Sequence, residues 1–196
     1  TIVADIEWRT GKVGDSDDLL VSETRTLTVS KVDGVTQVDF HTELTAARDL
    51  TLGGDLQHAG CHFRAHTEVA DKGTKFTSYL WEPEGKVAGN GKILSKKWKW
   101  NRLQFQLGGN WYSATQLNSP NQPVEELSWR NYGRFGFFFK KDLKQGETQK
   151  LDYRFHISPS EQPALESFPP QVSKDQETRW RAAAQKAYSE FVKSLK

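Results

Sequence analysis

The chain has 196 residues, with 27 basic against 25 acidic side chains and a formal net charge of +2. That length fits one domain, or one domain with an appendage, and is long enough to bury a sizeable core. A balance this even lacks the strongly basic face of nucleic-acid binders, no run reaches the ~18 apolar residues of a membrane span, and the single cysteine excludes an internal disulfide.

A lone cysteine fits the cytosol and an exported bacterial protein equally. Cys61 alternates onto an apolar strand face, where a buried, unreactive thiol is expected. The chain contains no Met, even at its start, which marks it as processed, trimmed or taken from within a longer product. Seven Trp and eleven Phe supply core, with some available as platforms for flat ligands.

The first 157 residues read as β throughout. Ile2, Ala4, Ile6 and Trp8 alternate with Val3, Asp5, Glu7 and Arg9. A polar connection follows from Gly11 to Asp18. Residues 19–32 and 35–45 alternate on either side of Asp33 and Gly34, a pair that accepts positive φ at both positions of a two-residue hairpin turn. That turn fixes the register: Val32 faces Val35, Val29 faces Val38, Thr28 faces Asp39, Leu27 faces Phe40 and Thr26 faces His41. Leu27, Val29, Val38 and Phe40 are then expected as core. The opposite face carries Thr24, Thr26, Thr28, Asp39, His41 and Glu43.

Gly53, Gly54 and Asp55 interrupt the chain before its densest group of reactive side chains. His58, His62 and His66, three of the five histidines, fall within nine residues. A strand over residues 61–69 places His62, Arg64, His66 and Glu68 on one face, with Cys61, Phe63, Ala65 and Val69 on the other. Such a face suits anion binding, proton transfer or metal ligation. As a single metal site it is poor, because His62 and His66 lie about 13 Å apart along a strand.

Further on, residues 75–81 predict a short strand and Pro83 to Lys92 a mobile loop. Lys96 to Arg102 (KKWKWNR) alternates basic and aromatic residues. It suits an acidic polymer or ring stacking, or an edge strand guarded by lysines. Residues 98–107 and 111–118 form a second hairpin around Gly108, Gly109 and Asn110, with a loop of two or three residues. Residues 119–131 read as a loop of functional length, residues 132–139 as an aromatic strand, and residues 148–157 as an alternating strand carrying Asp152, Arg154 and His156 on its polar face. Ser160 to Val172 is a Pro-rich connector. Ser173 and Gln176 form a capping box, and Trp180, Ala184, Ala187, Tyr188, Phe191, Val192 and Leu195 then recur at helical spacing. That helix is expected to dock on the sheet or on a partner chain.

Four segments carry a resemblance: Gly54 to Ala65 (GDLQHAGCHFRA), Leu117 to Pro123 (LNSPNQP), Tyr132 to Gly136 (YGRFG) and Leu151 to Phe155 (LDYRF). Over about residues 20–157 the chain resembles a bacterial family of unknown function, common in planctomycetes and often labelled methane-oxygenase-like. Members carry an earlier His- and Gly-rich segment with no counterpart here, so the chain is a shortened version or lacks part of the fold. The resemblance implies a β-sandwich, often exported, in organisms that degrade complex polysaccharides.

The expected fold is therefore mainly β: an antiparallel β-sandwich of jelly-roll or supersandwich type over residues 1–158, a connector over 159–172 and one C-terminal α-helix over 173–196. The expected function is a carbohydrate-active or carbohydrate-binding protein, secreted or periplasmic. Its ligand is a glycan or small polar molecule, with no nucleic acid, membrane span, cofactor or metal. As an enzyme it would be a sugar lyase or hydrolase, with His62 or His41 as base, Arg64 as anion clamp and Tyr132 as acid. His58, His66, Glu68, Arg134, Asn118 and Trp111 are the expected ligand contacts. Two alternatives stand beside it: a non-catalytic assembly module forming a homo-oligomer through its helix, and a metal-dependent enzyme.

Overall fold

The computed structural model describes residues 1–11, 19–72, 76–82, 92–94, 97–124, 126–163 and 172–195. In chain order the elements are β1 (Ile2–Arg9), β2 (Leu19–Val32), β3 (Val35–Ala46), β4 (Leu50–Leu52), β5 (Cys61–Arg64), α1 (Thr67–Lys72), β6 (Thr77–Glu82), β7 (Lys92–Leu94), β8 (Trp100–Leu107), β9 (Asn110–Asn118), β10 (Glu126–Arg130), β11 (Arg134–Phe138), β12 (Lys141–Leu143), β13 (Thr148–Pro159) and α2 (Lys174–Ser194). Most of the sequence-predicted loop after Pro83, and most of the connector, lie outside the described residues.

A seven-stranded antiparallel sheet runs in the order β1-β2-β3-β13-β9-β8-β6. A four-stranded sheet, β5-β11-β10-β7, faces it, and β12 pairs with β4. The two larger sheets form the sandwich. Alternation sends Cys61, Phe63, Leu127, Trp129, Phe135 and Phe137 inward from the smaller sheet, against Leu44, Tyr153, Phe155, Leu103, Phe105 and Ala114 of the larger. Phe135 and Phe137 are almost wholly buried, each stabilising the fold by roughly 1.5–3 kcal/mol.

The β2–β3 hairpin has the expected register from Val32↔Val35 to Thr26↔His41, with positive φ at Asp33 and Gly34. Its tip is not core, however. Val29 remains 60 % exposed and Val32 52 %. The β8–β9 hairpin resolves to a two-residue turn, with Leu107 opposite Asn110 and positive φ at Gly108 and Gly109.

Three further expectations change. The strand after Cys61 ends at Arg64 and a short helix begins at Thr67. The segment expected as a loop over 119–131 contains β10. The basic, aromatic segment enters β8, an interior strand between β9 and β6; Trp98 and Trp100 are buried in separate cores, so neither is a stacking platform.

Helix α2 starts as the capping box requires: the Ser173 side chain accepts from the Gln176 backbone N–H. Trp180, Ala184 and Phe191 pack with Leu80, Trp100 and Leu117 on the outer face of the larger sheet. The apolar stripe of the helix is thus covered by the chain's own sheet.

Candidate functional site

The outer face of the four-stranded sheet holds the most unusual polar arrangement. Register sets Arg64 opposite Arg134, and Arg134 opposite Arg130. Three arginines therefore form one cross-strand row over β5, β11 and β10, spanning roughly 10 Å. Like charges directly opposite destabilise a sheet. Among the described residues, no carboxylate pairs with any of the three.

Local structure explains the row. Arg130 and Arg134 flank Asn131, Tyr132 and Gly133, a three-residue hairpin loop with Gly133 at φ +84°, the conformation that closes such loops. Gly133 also packs tightly against Ala65 and Val69. The tip is held from the larger sheet: Thr77 Oγ1 donates to the Asn131 carbonyl at 2.8 Å and the Tyr79 hydroxyl to the Arg130 carbonyl at 2.5 Å. Tyr132 is so placed that the Arg64 guanidinium lies 5.9 Å from its ring centroid, a cation–π distance.

The next row is His62, Gly136 and Ser128. The His62 ring lies over Gly136, where a Cβ would come within 2.7 Å of the ring. This close approach lets His62 reach Arg134. Arg134, only 4 % exposed, donates through Nη1 to His62 Nδ1 at 2.6 Å and to the Gln57 carbonyl at 2.5 Å, and through Nη2 to Ser128 Oγ at 2.9 Å. Gln57 in turn contacts the Tyr132 hydroxyl at 3.4 Å.

The electrostatics follow from burial. Desolvation, then the charge of Arg134, lowers the His62 pKa to about 4; the Ala59 carbonyl pulls the other way without meeting hydrogen-bond geometry at Nε2. His62 is therefore neutral at pH 7. Because Nδ1 accepts from Arg134, the proton is assigned to Nε2. That Nε2–H and the Nε–H of Arg134 are both buried without a partner. Burial also lowers the Arg134 pKa, yet an arginine remains charged. The face thus presents net positive charge, with two unmatched donors buried beneath it.

Of the sequence-predicted residues, the structure brings together His62, Arg64, Tyr132 and Arg134. It separates the rest. His66 and Glu68 leave the expected strand face because α1 begins there: His66 Nδ1 accepts from the Glu68 N–H at 3.2 Å, and Glu68 Oε1 accepts from the Gly108 N–H at 3.1 Å. His58 pairs with Asp55 at 2.8 Å in an exposed turn. Asn118 is buried, donating to the Trp98 carbonyl and accepting from Gln122. Trp111 is also buried and offers no platform.

His41 lies on the outer face of the other sheet, 2.7 Å from Asp152 and 3.4 Å from Glu43, which also pairs with Lys150. His156, beside Gln37, shares that outer face. The polar strand faces therefore do not converge into one concavity. Among the described residues, no three His, Cys, Asp or Glu side chains gather as metal ligands.

Sequence reasoning missed Arg130, Ser128 and Gln57. A hairpin signal was present in Arg130 to Arg134 (RNYGR); reading 119–131 as loop concealed it.

The match to known sequences covers this whole region. The chain belongs to the DUF6807 family, a family of unknown function, whose model matches residues 1–166. No curated protein and no solved structure matches it. The matched span takes in every strand from β1 to β13, and membership brings no reaction with it. The row of arginines sits within the matched span, as do all the residues that position it.

Proposed function

We propose that the chain is a carbohydrate-binding β-sandwich protein that takes acidic glycans on the outer face of its four-stranded sheet. The observation that carries this is the row Arg64, Arg134 and Arg130 without a carboxylate partner among the described residues. A uronate carboxylate or a sulfate ester offsets the mutual repulsion and accepts paired guanidinium hydrogen bonds. Arg64 is exposed and Arg130 half-buried, so these two are the accessible arms. Tyr132 offers a ring face of the kind that packs on sugars. Buried Arg134 supplies field and fixes His62.

The geometry favours binding over turnover. A general base needs a free lone pair and a pKa near the working pH, whereas His62 has its Nδ1 engaged by Arg134 and its pKa near 4. Here His62 serves to hold Arg134, its Nε2–H buried without a partner. An assembly role through α2 has less support, since its apolar stripe packs on the chain's own sheet.

Affinity electrophoresis tests the reading. Migration should be retarded in gels containing polygalacturonate but not dextran, the retardation should fall with added salt, and it should vanish in an Arg64→Ala, Arg130→Ala double variant. Equal retardation in dextran, or retention of binding by the double variant, sinks the proposal.

A further inference from the structure

Strand β5 separates two environments. His62 reaches the arginine row and also borders, with Gly60 and Cys61, a half-open cavity of about 320 Å³ between the sheets. Its lining is mostly apolar, with Trp8, Phe40, Leu44, Leu52 and Leu151 among the walls. Into it β2 sends Glu23 and Arg25.

Glu23 is 2 % exposed and fully engaged. Its Oε1 accepts from Arg25 Nε and Thr42 Oγ1, both at 2.7 Å, and its Oε2 from Trp8 Nε1 at 2.8 Å. Burial works to raise its pKa, but these donors prevail and hold it below the usual carboxylate range. Glu23 thereby orients Arg25, whose guanidinium lies 5.5 Å from the Phe40 ring centroid. The Nη edge of Arg25 has no hydrogen-bond partner among the described residues. Tyr153 is 1 % exposed, lines the same cavity, and its hydroxyl has no partner either. Burial holds both the Tyr153 hydroxyl and the Cys61 thiol protonated, the latter with a pKa pushed up to about 12.

An unpartnered buried hydroxyl and an oriented guanidinium edge, on walls whose other polar side chains, Glu23, Thr42 and His62, already hold hydrogen bonds, point to a ligand. At ~30 Å³ per water the volume equals roughly ten waters, which suits a body of about ten non-hydrogen atoms. A hexose fits poorly, because its several hydroxyls would meet only two uncommitted polar groups on mostly apolar walls. We propose that this cavity is a second binding site, distinct from the glycan face, for a small carboxylate with an apolar body and one further oxygen. The carboxylate pairs with the Nη edge of Arg25, the body lies against Leu44 and Leu151, and the distal oxygen meets the Tyr153 hydroxyl.

Isothermal titration with four probes tests it: hydrocinnamate, hydrocinnamamide, phloretate (the para-hydroxylated acid) and dextran. The acids should bind and the amide at least tenfold more weakly, the scale of a lost charge-assisted pair. Phloretate should exceed hydrocinnamate by about fivefold, and Tyr153→Phe, which removes only an unpartnered hydroxyl, should erase that difference. Leu52→Phe should abolish binding by filling the cavity, while Arg64→Ala should leave it unchanged. No binding by either acid, an amide as tight as its acid, or an undiminished phloretate preference in Tyr153→Phe would overturn the inference. Loss of cavity binding in Arg64→Ala would show that the two sites are one, which also overturns it.

Discussion

Arg134 donates to Nδ1 of His62 at 2.6 Å, and this one contact sets the character of the outer face. It engages the Nδ1 lone pair of a His62 that burial already keeps neutral, holds its ring over Gly136, and places a buried guanidinium at the centre of a row of like charges. The protein keeps this arrangement although each part of it costs stability, as functional sites commonly do.

Acid stability should report the His62–Arg134 contact first. The folded pKa of His62 lies near 4, below its ordinary 6.5. Between these values the unfolded chain binds a proton that the folded chain refuses, so stability falls as pH drops from about 6.5 to 4. The loss should be at most about 3 kcal/mol. Urea midpoints across that window should fall for the parent chain and fall less steeply for His62→Asn, in which His156, its pKa also lowered by burial, still contributes. Parallel curves for the two would refute the assignment.

Glu23 should govern a lower window. Its folded pKa is depressed, so its contribution is present above the ordinary value of 4.5 and is lost as pH falls through the folded pKa. Glu23→Gln should destabilise the chain at pH 7 by about 1 kcal/mol, since the buried Glu23 site loses its charge-assisted bonds while the guanidinium of Arg25, 37 % exposed, keeps contact with water. The variant should also lose less on acidification below pH ~4.5 than the parent. Chemical denaturation at pH 7 and pH 3.5 compares the two.

Gly136 should be the least replaceable residue of the site. A Cβ there would press on the Cys61 carbonyl oxygen and come 2.6 Å from the His62 Cα, both on the neighbouring backbone. Gly136→Ala should cost about 3 kcal/mol or more. Gly146→Ala is the control: nothing lies within 4 Å, and only its φ of +82° is penalised, at about 1 kcal/mol. Equal thermal shifts for the two variants would contradict the packing argument.

The arginine row should trade stability for binding. Arg64 has no ion pair or hydrogen bond among the described residues and lies opposite Arg134. Arg64→Gln should leave stability unchanged or raise it by a few tenths of a kcal/mol in low salt. Added salt should stabilise the parent more than the variant, because screening relieves only the parent's repulsion. Paired thermal melts at low and high salt measure this.

Local signals in the sequence determined much of the scaffold. Asp33 and Gly34 specify a two-residue hairpin because both accept positive φ, and that turn dictated every pair from Val32↔Val35 to Thr26↔His41. Ser173 and Gln176 specify the start of α2 through capping, and apolar spacing specifies its docking face. Each rests on interactions within a few residues, which a sequence displays directly.

The site was decided by tertiary structure. Arg64 meets Arg134 only because β5 and β11, separated by about seventy residues, pair antiparallel in one register out of many. Strand alternation predicted a shared face for His62, Arg64, His66 and Glu68, but the chain turned into α1 after Arg64, so His66 became its cap and Glu68 a clip on a distant hairpin. Glu23 read as one polar residue in an alternating strand. Its burial beneath Trp8 and Thr42, and the cavity beside it, arise from contacts between segments distant in the sequence. Periodicity states which residues share a face; only the packing of one sheet on another states which faces meet, which stay open, and which charges are left without a partner.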